Sequence, residues 1–178
     1  MHPRHTLLAI AAIASITSAQ AAISTTTGAL TTSDPTFNRP LENLSGLSSV
    51  GTAVPYDVLQ FVVSTSGAYT FLTTALFDSF VILYSPAFSA SSQLTNGLIA
   101  NDDLLGLTTS GFSFNLTAGT NYFYINTAFT NAALGGYSNT IGGPGVITVV
   151  PEIGTYAMMA LGLGILGIAR RRVTSRAT

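Results

Sequence analysis

Leu59-Gln60-Phe61-Val62-Val63-Ser64-Thr65-Ser66-Gly67-Ala68-Tyr69-Thr70-Phe71 is the stretch on which the fold class turns. Leu59, Phe61 and Val63 alternate with less apolar neighbours, and Tyr69 and Phe71 do the same beyond Ser64-Thr65-Ser66-Gly67. A period of two is that of a half-buried strand, and two such runs about a short Gly-containing turn predict a hairpin. Further along, residues 80–84 (FVILY) are apolar without interruption, as expected of a centrally buried strand, and Pro86 ends them. Residues 88–97 make a longer connection, and residues 98–100 are a short strand running into Asn101-Asp102-Asp103. Phe112, Phe114 and Leu116 alternate, Ala118-Gly119 turns, and residues 122–126 (YFYIN) return. Residues 137–141 and 146–150 are further strands on either side of Gly142-Gly143-Pro144-Gly145. About seven strands spaced roughly ten residues apart, without helical periodicity, predict an all-β chain: a single antiparallel β-sandwich, jelly-roll-like.

The sandwich is expected over residues 56–149, which suffice for one core. Residues 22–55 are polar and poor in bulky side chains, and predict a loose lead-in with an early strand at most.

Charge is scarce, at 7% of the 178 residues against about 25% in ordinary domains, while apolar residues make up 47%. Cys, Trp and Lys are absent, and both histidines, His2 and His5, lie in the first five residues. Between residues 22 and 150 one base, Arg39, faces six acids, Asp34, Glu42, Asp57, Asp78, Asp102 and Asp103, a net charge of −5. A domain of that sign offers no phosphate-binding patch, so nucleic acid is excluded as a partner.

The basic residues are gathered at the two ends. A short basic start is followed by ten apolar residues, 7–16 (LLAIAAIASI), and by Ala19-Gln20-Ala21. This is the layout of a secretory signal helix over residues 1–21, with signal peptidase cutting after Ala21 and Ala19 filling the other small-residue position. Export to an oxidising compartment without Cys requires a core that is stable without disulfides. At the other end, Ile153-Gly154-Thr155-Tyr156 leads into an apolar run over residues 157–169, and the 17 residues 153–169 would span about 25 Å as a helix, at the short limit for a bilayer span. Gly162, Gly164 and Gly167 suit a helix in lipid better than one in water. Arg170, Arg171 and Arg172 hold residues 173–178 in the cytoplasm and leave the domain outside.

Val150, Pro151 and Glu152, the Gly-rich apolar run and Arg170 to Arg172 together resemble the PEP-CTERM sorting signal of exported Gram-negative bacterial proteins, over residues 150–172. Ile153 stands where that family usually has a second proline. The resemblance implies an exosortase-type processing enzyme that removes the tail in the inner membrane and passes the protein to the cell envelope or extracellular matrix. It also implies association with exopolysaccharide and biofilm. The middle of the chain resembles a second family, the bacterial pre-peptidase C-terminal domain. The matching pieces are residues 60–71 (QFVVSTSGAYTF), 77–84 (FDSFVILY), 99–103 (IANDD), 112–124 (FSFNLTAGTNYFY) and 141–145 (IGGPG). That likeness implies a small jelly-roll sandwich serving as an accessory module.

A mature chain without His, Cys or Lys holds no Ser-His-Asp or Cys-His site, no Schiff-base lysine and no ordinary zinc site. No catalytic residue is therefore assigned and the protein is expected not to be an enzyme. A hydrolase would need two carboxyls facing each other across a cleft, and adjacent Asp102 and Asp103 point apart in an extended chain. No cofactor is expected apart from one candidate, calcium, for which Asn101, Asp102 and Asp103, with Asp78 at the start of the neighbouring strand, supply hard oxygen ligands. The competing reading is that these residues cap a loop by bonding their own backbone. Phe61, Phe71, Phe80, Phe112 and Phe114 fall on apolar faces, whereas Tyr122 and Tyr124 share one face and are either core or a sugar-stacking pair. The function expected is that of a non-catalytic structural module of the envelope or exopolysaccharide matrix, with a carbohydrate- or protein-binding module as the alternative.

Overall fold

The structure, a computed structural model, describes residues 21–151. Its strands are β1 (Ala22–Leu30), β2 (Thr36–Phe37), β3 (Val54–Val63), β4 (Gly67–Ala75), β5 (Ser79–Tyr84), β6 (Gly97–Asn101), β7 (Thr109–Leu116), β8 (Tyr122–Ala128), β9 (Gly135–Gly143) and β10 (Ile147–Val149). They form two antiparallel sheets facing each other, one in the order β1-β9-β4-β7 and one in the order β10-β3-β8-β5-β6, with β2 paired to the start of β3. The described residues are all-β and sandwich-like, as their alternation predicts. The expected signal helix over residues 1–21 lies, but for Ala21, outside the described residues, as do the expected transmembrane helix from Ile153 and cytoplasmic tail over residues 173–178. Among the described residues no helix is long and apolar enough to cross a membrane.

The expected hairpin of residues 59–71 is not one. β3 pairs with β8 and β10, whereas β4 pairs with β7 and β9, so the chain arches from one sheet to the other at Ser64-Thr65-Ser66. The arches after β7 and after β9 do the same. Alternation states that each strand has one apolar face, and two such strands bury it equally well side by side or face to face. Here Phe61 and Val63 of β3 meet Tyr69 and Phe71 of β4 across the core, with Val81, Leu83, Tyr122 and Tyr124. Gly67, at φ 152°, allows the bend, because a Cβ there would lie 2.9 Å from Pro144. The Tyr69 hydroxyl closes the arch by donating to the Thr65 carbonyl at 2.8 Å.

β5 is buried at all six positions because both its faces are covered. Val81 and Leu83 enter the core between the sheets. Phe80, Ile82 and Tyr84 face outward into a second cluster with Phe37, Val54 and Ile125, closed over by Leu44 and Phe88. The cover comes largely from the segment expected to be a loose lead-in. β1 pairs with β9 over its whole length, from Ala22↔Gly143 to Leu30↔Gly135, so the sandwich begins at Ala22 rather than at Tyr56. The chain between β2 and β3 then folds back over the outer face of the second sheet. Its polar composition reflects an edge strand and an outer layer, which need few bulky residues.

Ile82 and Leu83 are adjacent and fully buried, on opposite faces. Ile82→Ala and Leu83→Ala are each expected to cost about 2–5 kcal/mol in urea unfolding. A loss for Ile82→Ala well below that of Leu83→Ala would show that the outer layer is not a true core.

Candidate functional site

One end of the sandwich collects the connections β4–β5, β6–β7 and β8–β9. The β6–β7 loop is fastened to the β4–β5 connection through backbone bonds from Ala75 N to Thr108 O and from Ser79 N to Leu107 O, both 2.9 Å. Beneath it the Ser79 and Ser110 hydroxyls meet at 2.6 Å, and Ser110 also bonds the Ser79 and Asp102 carbonyls. This fastening brings Asp78, Asp102 and Asp103 together, with one carboxylate oxygen of each within 4.8 Å of the others. Asp102 and Asp103 were expected to point apart. They converge because β6 ends at Asn101, and beyond that residue the alternation of an extended strand no longer applies.

Asp78 Oδ1 and Asp102 Oδ1 are buried and have no hydrogen-bond partner. Burial, reinforced by the charges of Asp103 and Asp78 and opposed by Arg39, pushes the Asp102 carboxyl up to about 6. Burial also raises Asp78, with Asp103 adding to the shift. Asn101 is committed elsewhere: its Oδ1 accepts from Gly111 N at 2.8 Å and its Nδ2 donates to Glu42 at 3.0 Å. The converging group is therefore the three aspartates, while Asn101 positions the loop that carries two of them.

Arg39, the lone base of the domain, lies behind this cluster and is 2% exposed. Its guanidinium sits 4.2 Å from the Phe80 ring centroid and 4.5 Å from that of Phe129, and donates to Phe129 O at 3.1 Å and Pro40 O at 3.0 Å. Burial lowers its pKa, and the nearby Asp102 and Asp78 charges oppose that shift. Sequence reasoning counted Arg39 only as charge. The available signal was its isolation: a single base among six acids, in a segment otherwise free of cations.

Three carboxylates with two unsatisfied buried oxygens fit a hard divalent cation, which takes six to eight oxygens at roughly 2.3–2.6 Å. Water and backbone would supply the remaining ligands. A stacking platform for sugars has no counterpart here. Tyr122 and Tyr124 are core residues, and among the described residues no aromatic side chain is exposed. Of the residues expected to carry sorting and cleavage, Val150 N bonds Gln60 O at 2.8 Å, and Pro151 and Ala21 are exposed. Ala19, Glu152, Arg170, Arg171 and Arg172 lie outside the described residues. No protein-family model matches the chain, and no curated protein matches it.

The folded state holds the Asp102 proton more tightly than the unfolded chain does, so the metal-free protein loses stability as pH rises from 3.8 through about 6. Asp102→Asn is expected to flatten that decline and to be the more stable protein at neutral pH. Chelator-treated urea unfolding at several pH values checks this, and parallel curves for the two proteins would contradict it.

Proposed function

We propose that this chain is a non-catalytic exported protein, sorted by a PEP-CTERM-like tail and structural in the cell envelope or exopolysaccharide matrix of a biofilm. Signal peptidase and an exosortase-type enzyme process it at the inner membrane. The observation that carries this reading is the ordered tail: Val150-Pro151-Glu152, then an apolar run, then Arg170 to Arg172. Its position relative to the fold supports the reading, because the last strand among the described residues closes at Val149 and the motif begins one residue later. A cut there leaves the sandwich whole. The finer fold is proposed as a jelly roll, like that of the pre-peptidase C-terminal domain. The interleaved orders β1-β9-β4-β7 and β3-β8-β5-β6 support it. A role without catalysis is supported by the lack of His, Cys and Lys between residues 22 and 150.

Intact-mass measurement of the exported protein tests the sorting reading. A species beginning at Ala22 and ending near Pro151 is expected, and a product that retains Arg170 to Arg172 would make the tail a plain anchor. Deleting residues 151–178 should change where the protein accumulates.

A second reading, a calcium-stabilised binding module, is favoured by the three converging aspartates and their two partnerless oxygens. The lack of exposed aromatics among the described residues weighs against carbohydrate as its ligand. Calcium at about 100 times its Kd should stabilise the protein by about 2.7 kcal/mol. Asp78→Asn should abolish that gain, and titration calorimetry without heat would remove the metal.

A further inference from the structure

Four strands end the two sheets, β1 and β7 in one and β10 and β6 in the other. Two of these edges are blunted and a third, β7, is closed over its first half. β10 has three residues and is followed within two positions by Pro151. β6 has five, and its last residue, Asn101, is bonded to Glu42. The first half of β7 is closed, since Thr109 O accepts from Leu104 N at 2.8 Å and Gly111 N donates to the Asn101 side chain at 2.8 Å. Among the described residues, β1 has no such device. It runs nine residues in unbroken register with β9, and its sequence, AISTTTGAL, contains neither charge nor proline. Soluble proteins guard long edges with charges, prolines or bulges, because the free N–H and C=O groups of an edge accept another strand.

We infer that β1 pairs with β1 of a second copy of this chain, antiparallel about a twofold axis, joining two four-stranded sheets into one continuous sheet. The covering element must be an extended strand, the only structure that satisfies alternate backbone donors and acceptors along such an edge. The exposed side chains of β1, Ile23, Thr25, Thr27 and Ala29, are β-branched or small and uncharged. They offer a charged peptide no counter-ion and oppose their own copies without repulsion, and Thr–Thr pairs across strands are favourable.

Charge also selects the orientation. β1 ends at Leu30, and the turn beyond it carries Asp34, bonded to Thr31 N. Asp78, Asp102 and Asp103, with Glu42 held by Asn101, sit at that same end of the sandwich. Parallel pairing would set two acidic ends side by side. Antiparallel pairing moves them to opposite ends of a strand about 30 Å long, several Debye lengths apart at physiological salt. An isologous contact of this kind closes on itself as a dimer. The inference stands on β1 alone and not on how either terminus is processed.

Because the chain has no cysteine, one introduced thiol can form no disulfide within its own chain, and a covalent dimer of twice the chain mass reports pairing with another copy. Ile23→Cys, Thr25→Cys, Thr27→Cys and Ala29→Cys, with Ser113→Cys on β7 as an exposed control, are each placed in the full-length chain. They are expressed in an exporting Gram-negative host, oxidised with copper phenanthroline and read on non-reducing gels. Covalent dimer is expected on β1 in excess of the control, strongest at one position and falling toward both strand ends, as antiparallel strands crossing at a twofold axis require. Lysines at the exposed neighbours of that position should lower the dimer about tenfold by opposing like charges, with protease resistance unchanged. Dimer on β1 no greater than at Ser113→Cys, or equal at all four β1 positions, would overturn the inference. So would dimer that persists undiminished in a folded lysine variant.

Discussion

A strand that is apolar on both faces has to be covered twice, and in this protein that strand is β5. The facing sheet covers Val81 and Leu83, as in any sandwich. Phe80, Ile82 and Tyr84 require a further layer, and the chain between β2 and β3 supplies it. That layer is pinned by Arg39, whose backbone bonds Gly51 and Ser48 while its guanidinium is held between Phe80 and Phe129. Gly51 must remain a glycine for this, since a Cβ there would come within 2.7 Å of the arginine side chain. A buried guanidinium is tolerable only with its donors bonded and opposite charge near, and Phe129 O, Pro40 O, Asp78 and Asp102 meet that need.

The same constraint ties the packing to the acidic end. The ring that supports Arg39 belongs to Phe80, two residues after Asp78, and Asp78 O receives the Phe129 N–H at 2.9 Å. Neutralising the cluster, by protons or by a cation, therefore acts on the group that fastens the outer layer. On the inner side a polar network does comparable work. Thr73 Oγ1 lies 2.8 Å from the Tyr124 hydroxyl and 2.7 Å from Asn139 Oδ1, joining β4 and β9 to β8 across the core. A domain without disulfides thus has directional links between its layers as well as hydrophobic contact.

The β class of the chain and most of its strands are legible in alternation, because side-chain direction along a strand depends only on its immediate neighbours. The pairing of the strands is not. LQFVVSTSGAYTF carries the same period whether it folds as a hairpin or as an arch, and only the competing partners β8 and β9 decide between them. For the candidate site, Asp78, Asp102 and Asp103 are visible as acids near strand ends, and their convergence depends on where β6 stops. Arg39 was legible as a lone charge but not as a pin, since its partners Phe80 and Phe129 are 41 and 90 residues away.

The apolar runs near the two ends, and the absence of His, Cys and Lys between residues 22 and 150, belong to the sequence by itself, because composition along a stretch is a local fact that no folding alters. The tertiary structure alone decided that the Thr-rich segment from Ala22 is an edge strand and an outer layer, and that three separated carboxylates share one corner. Those outcomes follow from long-range competition for buried surface and backbone hydrogen bonds, which sums over the whole chain and leaves no mark on any short stretch of it.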